Sequence, residues 1–271
     1  MIVTIKSTDN LHFIKWPATH VLAFNTTRLP SSNYLSTKSS ANLLSNAANT
    51  EQLQSAFDYF NLGSHVGDCP DSVARNRQSL LQYLPNKIKI QWLEQVHGSN
   101  VVDVIKHNTT PMVADAAITR CQNIALAVMT ADCLPILLSN REGSEIAAIH
   151  AGWRPLAASI ISSTLTKMKS ENKDIHAWLG PCIGVEHFEV GAEVKQAFSD
   201  ISPILSGFFI NSSFDKFQAD LVGLATYLLE QAGVVSITHQ QACTFTESNK
   251  YYSYRRENKT GRMASIICFN R

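Results

Sequence analysis

The residues of this chain best suited to joint chemistry are one thiol and two imidazoles. Cys133 lies in Thr130-Ala-Asp-Cys-Leu-Pro135, His150 in Ile149-His-Ala-Gly-Trp153, and His97 in Gln95-Val-His-Gly98. Each follows or ends an apolar, strand-like run. A thiolate with two imidazoles forms a zinc-type donor set, and three protein ligands leave a fourth position open. Water in that position ionises near neutral pH, against about 15.7 in bulk, and can act as base or nucleophile. The competing reading is a metal-free Cys133–His150 nucleophile and base, as in cysteine hydrolases. Gly98 and Gly152 each sit just past a candidate ligand, where a missing side chain admits a substrate or another backbone. Asp132 falls on the opposite face if its strand is regular, and is otherwise a candidate general base. His65, His187 and His239 carry no assigned role.

The elements that must position these groups follow from hydrophobic patterning. Residues 134–139 and 144–149 flank the polar turn Asn140-Arg-Glu-Gly143, a hairpin signature. With Arg141 and Glu142 as the central turn residues, Cys133 stands directly opposite His150, their Cβ atoms about 4.5–5.5 Å apart. Pro135 places that strand at a sheet edge or stops it early. His97 closes an expected strand at 87–96. Further strands are expected at 101–105, 124–129, 175–179, 234–238 and 264–269. Helices are expected at 71–84, 156–170 and 219–232, the last ending at Gly233. The pattern reads as one α/β domain with mixed sheets over residues 1–271, in which 25–58 form a polar insertion or loop.

Composition narrows the function classes. The 271 residues carry 23 Lys+Arg against 22 Asp+Glu, a net charge of +1 with no basic run, so no nucleic-acid partner is expected. The longest apolar runs are too short to cross a bilayer, and the N-terminus lacks a signal-peptide pattern, so a cytoplasmic location without membrane association is expected. Six cysteines, at 69, 121, 133, 182, 243 and 268, lack CxxC spacing and are expected to be reduced and mostly buried.

Several blocks resemble the YfiH-like family, once described as multicopper polyphenol oxidases (laccases) and now as purine nucleoside phosphorylases. They are Asn61-Leu-Gly-Ser-His-Val-Gly-Asp68, Trp92-Leu-Glu-Gln-Val-His-Gly98, Ala114-Asp-Ala116, Met129-Thr-Ala-Asp-Cys-Leu-Pro135 and Ile149-His-Ala-Gly-Trp-Arg154. Trp178-Leu-Gly-Pro-Cys-Ile-Gly184, Tyr251-Tyr-Ser-Tyr-Arg-Arg256 and Thr260-Gly-Arg-Met-Ala-Ser265 complete the set. The resemblance implies a layered α-β-β-α sandwich similar to the cytotoxic necrotizing factor catalytic domain. It implies zinc on His97, Cys133 and His150, with copper as the alternative metal. It implies phosphorolysis of adenosine, inosine and methylthioadenosine, with adenosine deaminase activity. The partners are then a small nucleoside and phosphate, and the protein a monomer. One departure stands out: Thr26-Thr-Arg28 matches the family's Ser-Thr-Arg segment, but Leu-Pro-Ser-Ser replaces the glycines that usually follow.

Phosphate as nucleophile calls for cations, and Arg suits it because its planar fork binds two oxygens. Arg28, Arg77 and Arg256, which flank or lie in these blocks, are the candidates. A copper oxidase is disfavoured because the nine histidines include no HxH pair.

Overall fold

A computed structural model describes residues 10–29 and 56–270; most of the expected 25–58 insertion lies outside the described residues. Two large mixed sheets carry the fold. The five-stranded sheet runs β1 (Leu11–Ile14), β2 (Val21–Thr26), β16 (Met263–Phe269), β8 (Ile124–Thr130), β3 (Lys89–Gln91), with only β3 and β8 parallel. The six-stranded sheet runs β15 (Ser236–His239), β11 (Ile175–Leu179), β9 (Leu134–Asn140), β10 (Ile146–Ala151), β7 (Ala116–Thr119), β5 (Val101–Asp103). Two small sheets are added: β12 (Glu189–Gly191), β14 (Lys216–Ala219) and β13 (Phe209–Ser213), and the parallel pair β4 (Leu93–Glu94) and β6 (Met112–Val113).

The largely apolar strands β8, β9, β10 and β16 are buried at every residue, as strands covered on both faces must be. Leu126, Val128 and Ile267 of the first sheet meet Leu137, Ile146 and Ala148 of the second in a shared layer. The alternate residues Ala125, Ala127 and Ile266 face Leu80 of helix α1 (Pro70–Leu80), with Phe60 and Leu62. On the far side, Ile136, Leu138 and Ile149 face four helices: α2 (Trp153–Ala157), α3 (Ile160–Lys167), α4 (Ala192–Ser199) and α5 (Leu221–Gln231). Helix, sheet, sheet and helix therefore stack in layers. No helix among the described residues is long and apolar enough to cross a membrane.

Three local expectations are corrected. The hairpin turn contains four residues, not two: the Asn140 amide bonds to the Glu145 carbonyl, and the Asn140 side chain accepts from the Ser144 and Glu145 amides. The register moves by two residues, so His150 pairs with Pro135 and Ala151 with Leu134. Cys133 therefore lies diagonal to His150, not directly opposite. A two-residue shift keeps both on one face. Pro135, second, neither places β9 at an edge nor ends it. It faces Gly180 one step past the last β11 pair, Ile136 with Leu179, where its carbonyl accepts the Gly180 amide at 2.9 Å and only the reciprocal amide bond is missing. The third correction is the helix expected at 156–170, which breaks into α2 and α3 because Ser159 adopts a left-handed φ of 63°.

Leu137 is fully buried between the sheets. Replacing it with Ala is expected to cost about 2–5 kcal/mol, read as a lower urea midpoint with an unchanged slope.

Candidate functional site

His150 is the penultimate residue of β10, Cys133 precedes β9, and His97 follows β4. A carboxylate ties two of them together. Asp115, wholly buried between β6 and β7, accepts from the Val96, His97 and Gly98 amides at 3.2, 3.0 and 2.7 Å. Its Oδ1 also accepts from His150 Nδ1 at 2.8 Å, and its carbonyl accepts the His150 amide at 2.7 Å. Donation from Nδ1 to the carboxylate leaves Nε2 of His150 as the free ring nitrogen. Pointing three successive amides at one carboxylate bends the chain sharply, and His97 takes a left-handed φ of 59°. The Gln95 amide anchors the same turn, pairing with the Met129 amide and carbonyl at 2.8 Å each.

Cys133 is aimed by different means. Asp132 before it has φ 95°, and its carboxylate accepts from Thr244 Oγ1 at 2.6 Å and the Arg255 amide at 2.7 Å. These bonds make Asp132 a brace of the chain and leave it unsuited to act as a free base. Across from Cys133, a Cβ on Gly152 would come within 2.9 Å of Sγ, so the thiol depends on that glycine.

The Sγ of Cys133 and one ring nitrogen of each histidine lie within 4.8 Å of one another; this is the one such cluster among the described residues. Sγ stands 4.0 Å from His97 Nε2, and the two imidazoles meet edge to face with centroids 4.7 Å apart. His150 is buried, Cys133 half-buried and His97 exposed. Burial pushes the Cys133 thiol up, but the His150 charge and hydrogen bonds from both histidines outweigh it and draw it down to about 6. Burial likewise lowers His150, while the Cys133 charge and the Asp115 hydrogen bond raise it to about 9. Burial raises the Asp115 carboxyl, yet its hydrogen bonds to His150, Gly98 and His97 leave it below its ordinary value. A thiolate and two imidazoles suit a borderline-soft divalent ion, whereas magnesium and calcium take oxygen donors. The residues therefore fit a metal of that type.

A cavity of about 600 Å³ opens over the cluster, walled by Trp153, Phe188 and Tyr254 and by the cations Arg154, Arg255 and Arg262. His65 also lines it, while His187 stacks on Phe245 at 4.4 Å and His239 ends β15. None of the three expected arginines lines this cavity. Arg28 bonds to the Asp58 and Ser248 carbonyls and pairs with Glu257. Arg77 bonds to the Leu62 carbonyl and stacks over Trp92 at 4.1 Å. Arg256 bonds to the Thr244, Phe245 and Tyr251 carbonyls. The cavity cations all lie inside the motif blocks: Arg154 beside Trp153, Arg255 beside Arg256, and Arg262 in the Thr-Gly-Arg block. Adjacency could have raised them, but only the fold reveals which neighbour faces inward. Asp115 gave one signal, an acid embedded in an otherwise apolar strand entry.

A family model described as multi-copper polyphenol oxidoreductase laccase matches residues 48–270. Purine nucleoside phosphorylase YfiH of Escherichia coli is 44% identical over 211 residues, covering 78% of this chain and 86% of that protein. The chain belongs to the YfiH family. Purine nucleoside phosphorylase PA4543 of Pseudomonas aeruginosa is 40% identical over 215 residues, covering 79% and 87% of the two chains. Among solved structures, Neisseria meningitidis protein NMB0706 is 36% identical, with a TM-score of 0.84 over 97% of this chain and all of that one. YlmD of Geobacillus stearothermophilus, at 26% identity, gives 0.79 over 94% of each.

Asp115→Asn keeps the side-chain shape of this YfiH-family centre but removes the charge. It is expected to weaken metal affinity about 10–100-fold in chelator competition, with the fold retained by circular dichroism.

Proposed function

We propose that this chain is a zinc-dependent purine nucleoside phosphorylase. Its substrates are adenosine, inosine and methylthioadenosine with phosphate, and its products the free base and ribose 1-phosphate, or methylthioribose 1-phosphate. Adenosine deamination is the second reaction. The observation that carries this reading is the three-donor cluster on the floor of a cavity walled by arginines and aromatic rings. Relatives named purine nucleoside phosphorylase support it.

In phosphorolysis a phosphate oxygen bonds to the ribose anomeric carbon, the glycosidic carbon–nitrogen bond breaks, and its electron pair leaves with the purine. Arg154 and Arg262 supply guanidinium donors for the dianionic nucleophile. The Arg154 guanidinium makes no hydrogen bond to a described residue and stacks over Trp153 at 4.4 Å. Arg262 holds the Thr260 and Gly261 carbonyls through one terminal nitrogen, leaving its other nitrogens for a ligand. Trp153, Phe188 and Tyr254 offer apolar faces to the purine ring. His97, Cys133 and His150 would hold the zinc, and Asp115 fixes the His150 ring through Nδ1, leaving Nε2 for a ligand. Bound zinc would supply Lewis acidity and an acidified water, which suits attack on the amino-bearing purine carbon.

The family's laccase description has less support. A multicopper oxidase spreads several coppers over many histidines, whereas the described residues bring together one three-donor cluster. A monomer in the cytoplasm completes the reading.

Purified protein incubated with adenosine and phosphate is expected to yield adenine and ribose 1-phosphate in a phosphate-dependent reaction, and inosine alongside, resolved by chromatography. Cys133→Ala is expected to lose both activities and its metal. Formation of neither product, or full metal content in the variant, would overturn the assignment.

A further inference from the structure

Two cysteines outside the metal set stand as neighbours beside the cavity. Cys182 follows β11 and Cys243 follows β15, and the two form an isolated parallel bridge in which the Thr244 amide bonds to the Cys182 carbonyl at 2.9 Å. Bridged backbones lie about 4.8 Å apart, inside the roughly 4.4–6.8 Å that disulfides span between Cα atoms. The side chains share a side. Gly184 lies two residues beyond Cys182, with an extended backbone, and its side-chain position falls on the Cys182 side. A Cβ there would meet Cys243 Sγ at 3.1 Å, and the Gly184 amide donates to that sulfur at 3.2 Å. Cys182 is buried, whereas Cys243 is half-buried and reachable.

The residue after each cysteine holds Asp132. The Ile183 amide bonds to the Asp132 carbonyl at 2.9 Å, and Thr244 Oγ1 to its carboxylate. Ile183 also lines the cavity. A bond between the two sulfurs would therefore draw on two of the three supports of the residue that aims Cys133, the Arg255 amide being the third.

We propose that Cys182 and Cys243 are a reversible oxidation site, whose oxidant is a low-molecular-weight disulfide and whose closure lowers turnover at the metal site. The Cys243 thiolate attacks one sulfur of the reagent, whose sulfur–sulfur bond breaks and expels a thiolate, leaving a mixed disulfide. The Cys182 sulfur then attacks Cys243 Sγ and expels the second thiolate, which takes up the Cys182 proton. Two protein thiols lose two electrons and two protons, and one reagent disulfide becomes two thiols. Burial pushes the Cys182 thiol up, in keeping with first attack by Cys243. Closure takes Cys243 Sγ from the Gly184 amide and pulls Ile183 and Thr244 against Asp132.

The pairing of sulfurs is independent of the proposed activity; only its effect on turnover rests on that reading. The test treats metal-loaded full-length protein with excess oxidised glutathione, blocks free thiols, and maps linked peptides by mass spectrometry. The expected result is a Cys182–Cys243 peptide that dithiothreitol removes. Adenosine phosphorolysis should fall by about 10–100-fold, a 1 Å misplacement at a reacting centre costing up to about 100-fold, and recover on reduction. Cys243→Ser should form no such link and keep its turnover in oxidised glutathione. Absence of the linked peptide from folded protein overturns the proposal. So does linkage with unchanged turnover, or equal loss in Cys243→Ser. Untreated protein without phosphorolysis would count against the proposed activity, while the linked peptide would still decide the pair.

Discussion

One buried carboxylate organises the site. Asp115 is removed from water, and an ion there is tolerable only when its oxygens are fully engaged. Three amides of the 96–98 turn and the His150 ring meet that demand. The same bonds set the separation of the two imidazoles and choose the His150 nitrogen that faces the cavity. Because Asp115 enters β7, and β7 pairs with β10, carboxylate and histidine are registered by the sheet itself. The exposed part of the site, the His97 turn, is thus fastened to its buried part.

The remaining ligand is placed by strain and space. Asp132 and His97 both occupy left-handed backbone conformations, which cost a non-glycine residue about 1–2 kcal/mol each. Each is held by specific bonds: Asp132 by Thr244 and Arg255, His97 by Asp115. Such local costs persist only where the surroundings over-determine them, and here both flank the cavity. Gly152 contributes by omission, since any Cβ would displace the thiol. Local rules bend at the three points where the donor atoms must converge, while the sheets behind them keep regular pairing and unbroken apolar faces.

Much of this was legible in the sequence. The apolar runs of β8, β9, β10 and β16 announced buried strands, and Cys133, His150 and His97 stood out by residue type at strand ends. The two-residue register error was harmless because the side-chain period of a strand is also two; an error of one would have separated Cys133 from His150. The four-residue turn depends on the Asn140 side chain capping two amides, which turn statistics did not favour over a tighter turn. The arginines were misplaced for a different reason. Arg255 and Arg256 are adjacent, yet one reaches the cavity and the other braces backbone carbonyls, and only the tilt of the short segment 254–257 separates them. Asp115 escapes a sequence reading because three of its four partners are main-chain amides, which no residue type reveals.

One thiolate and two imidazoles, preset by Asp115 and Gly152, are expected to hold a single metal ion. X-ray absorption at the edge of the co-purifying metal tests it most directly. The expected shell has one sulfur at about 2.3 Å and two imidazole nitrogens at about 2.0–2.1 Å, with a fourth light-atom position. A shell without sulfur, or one with four protein ligands and no open position, would contradict it.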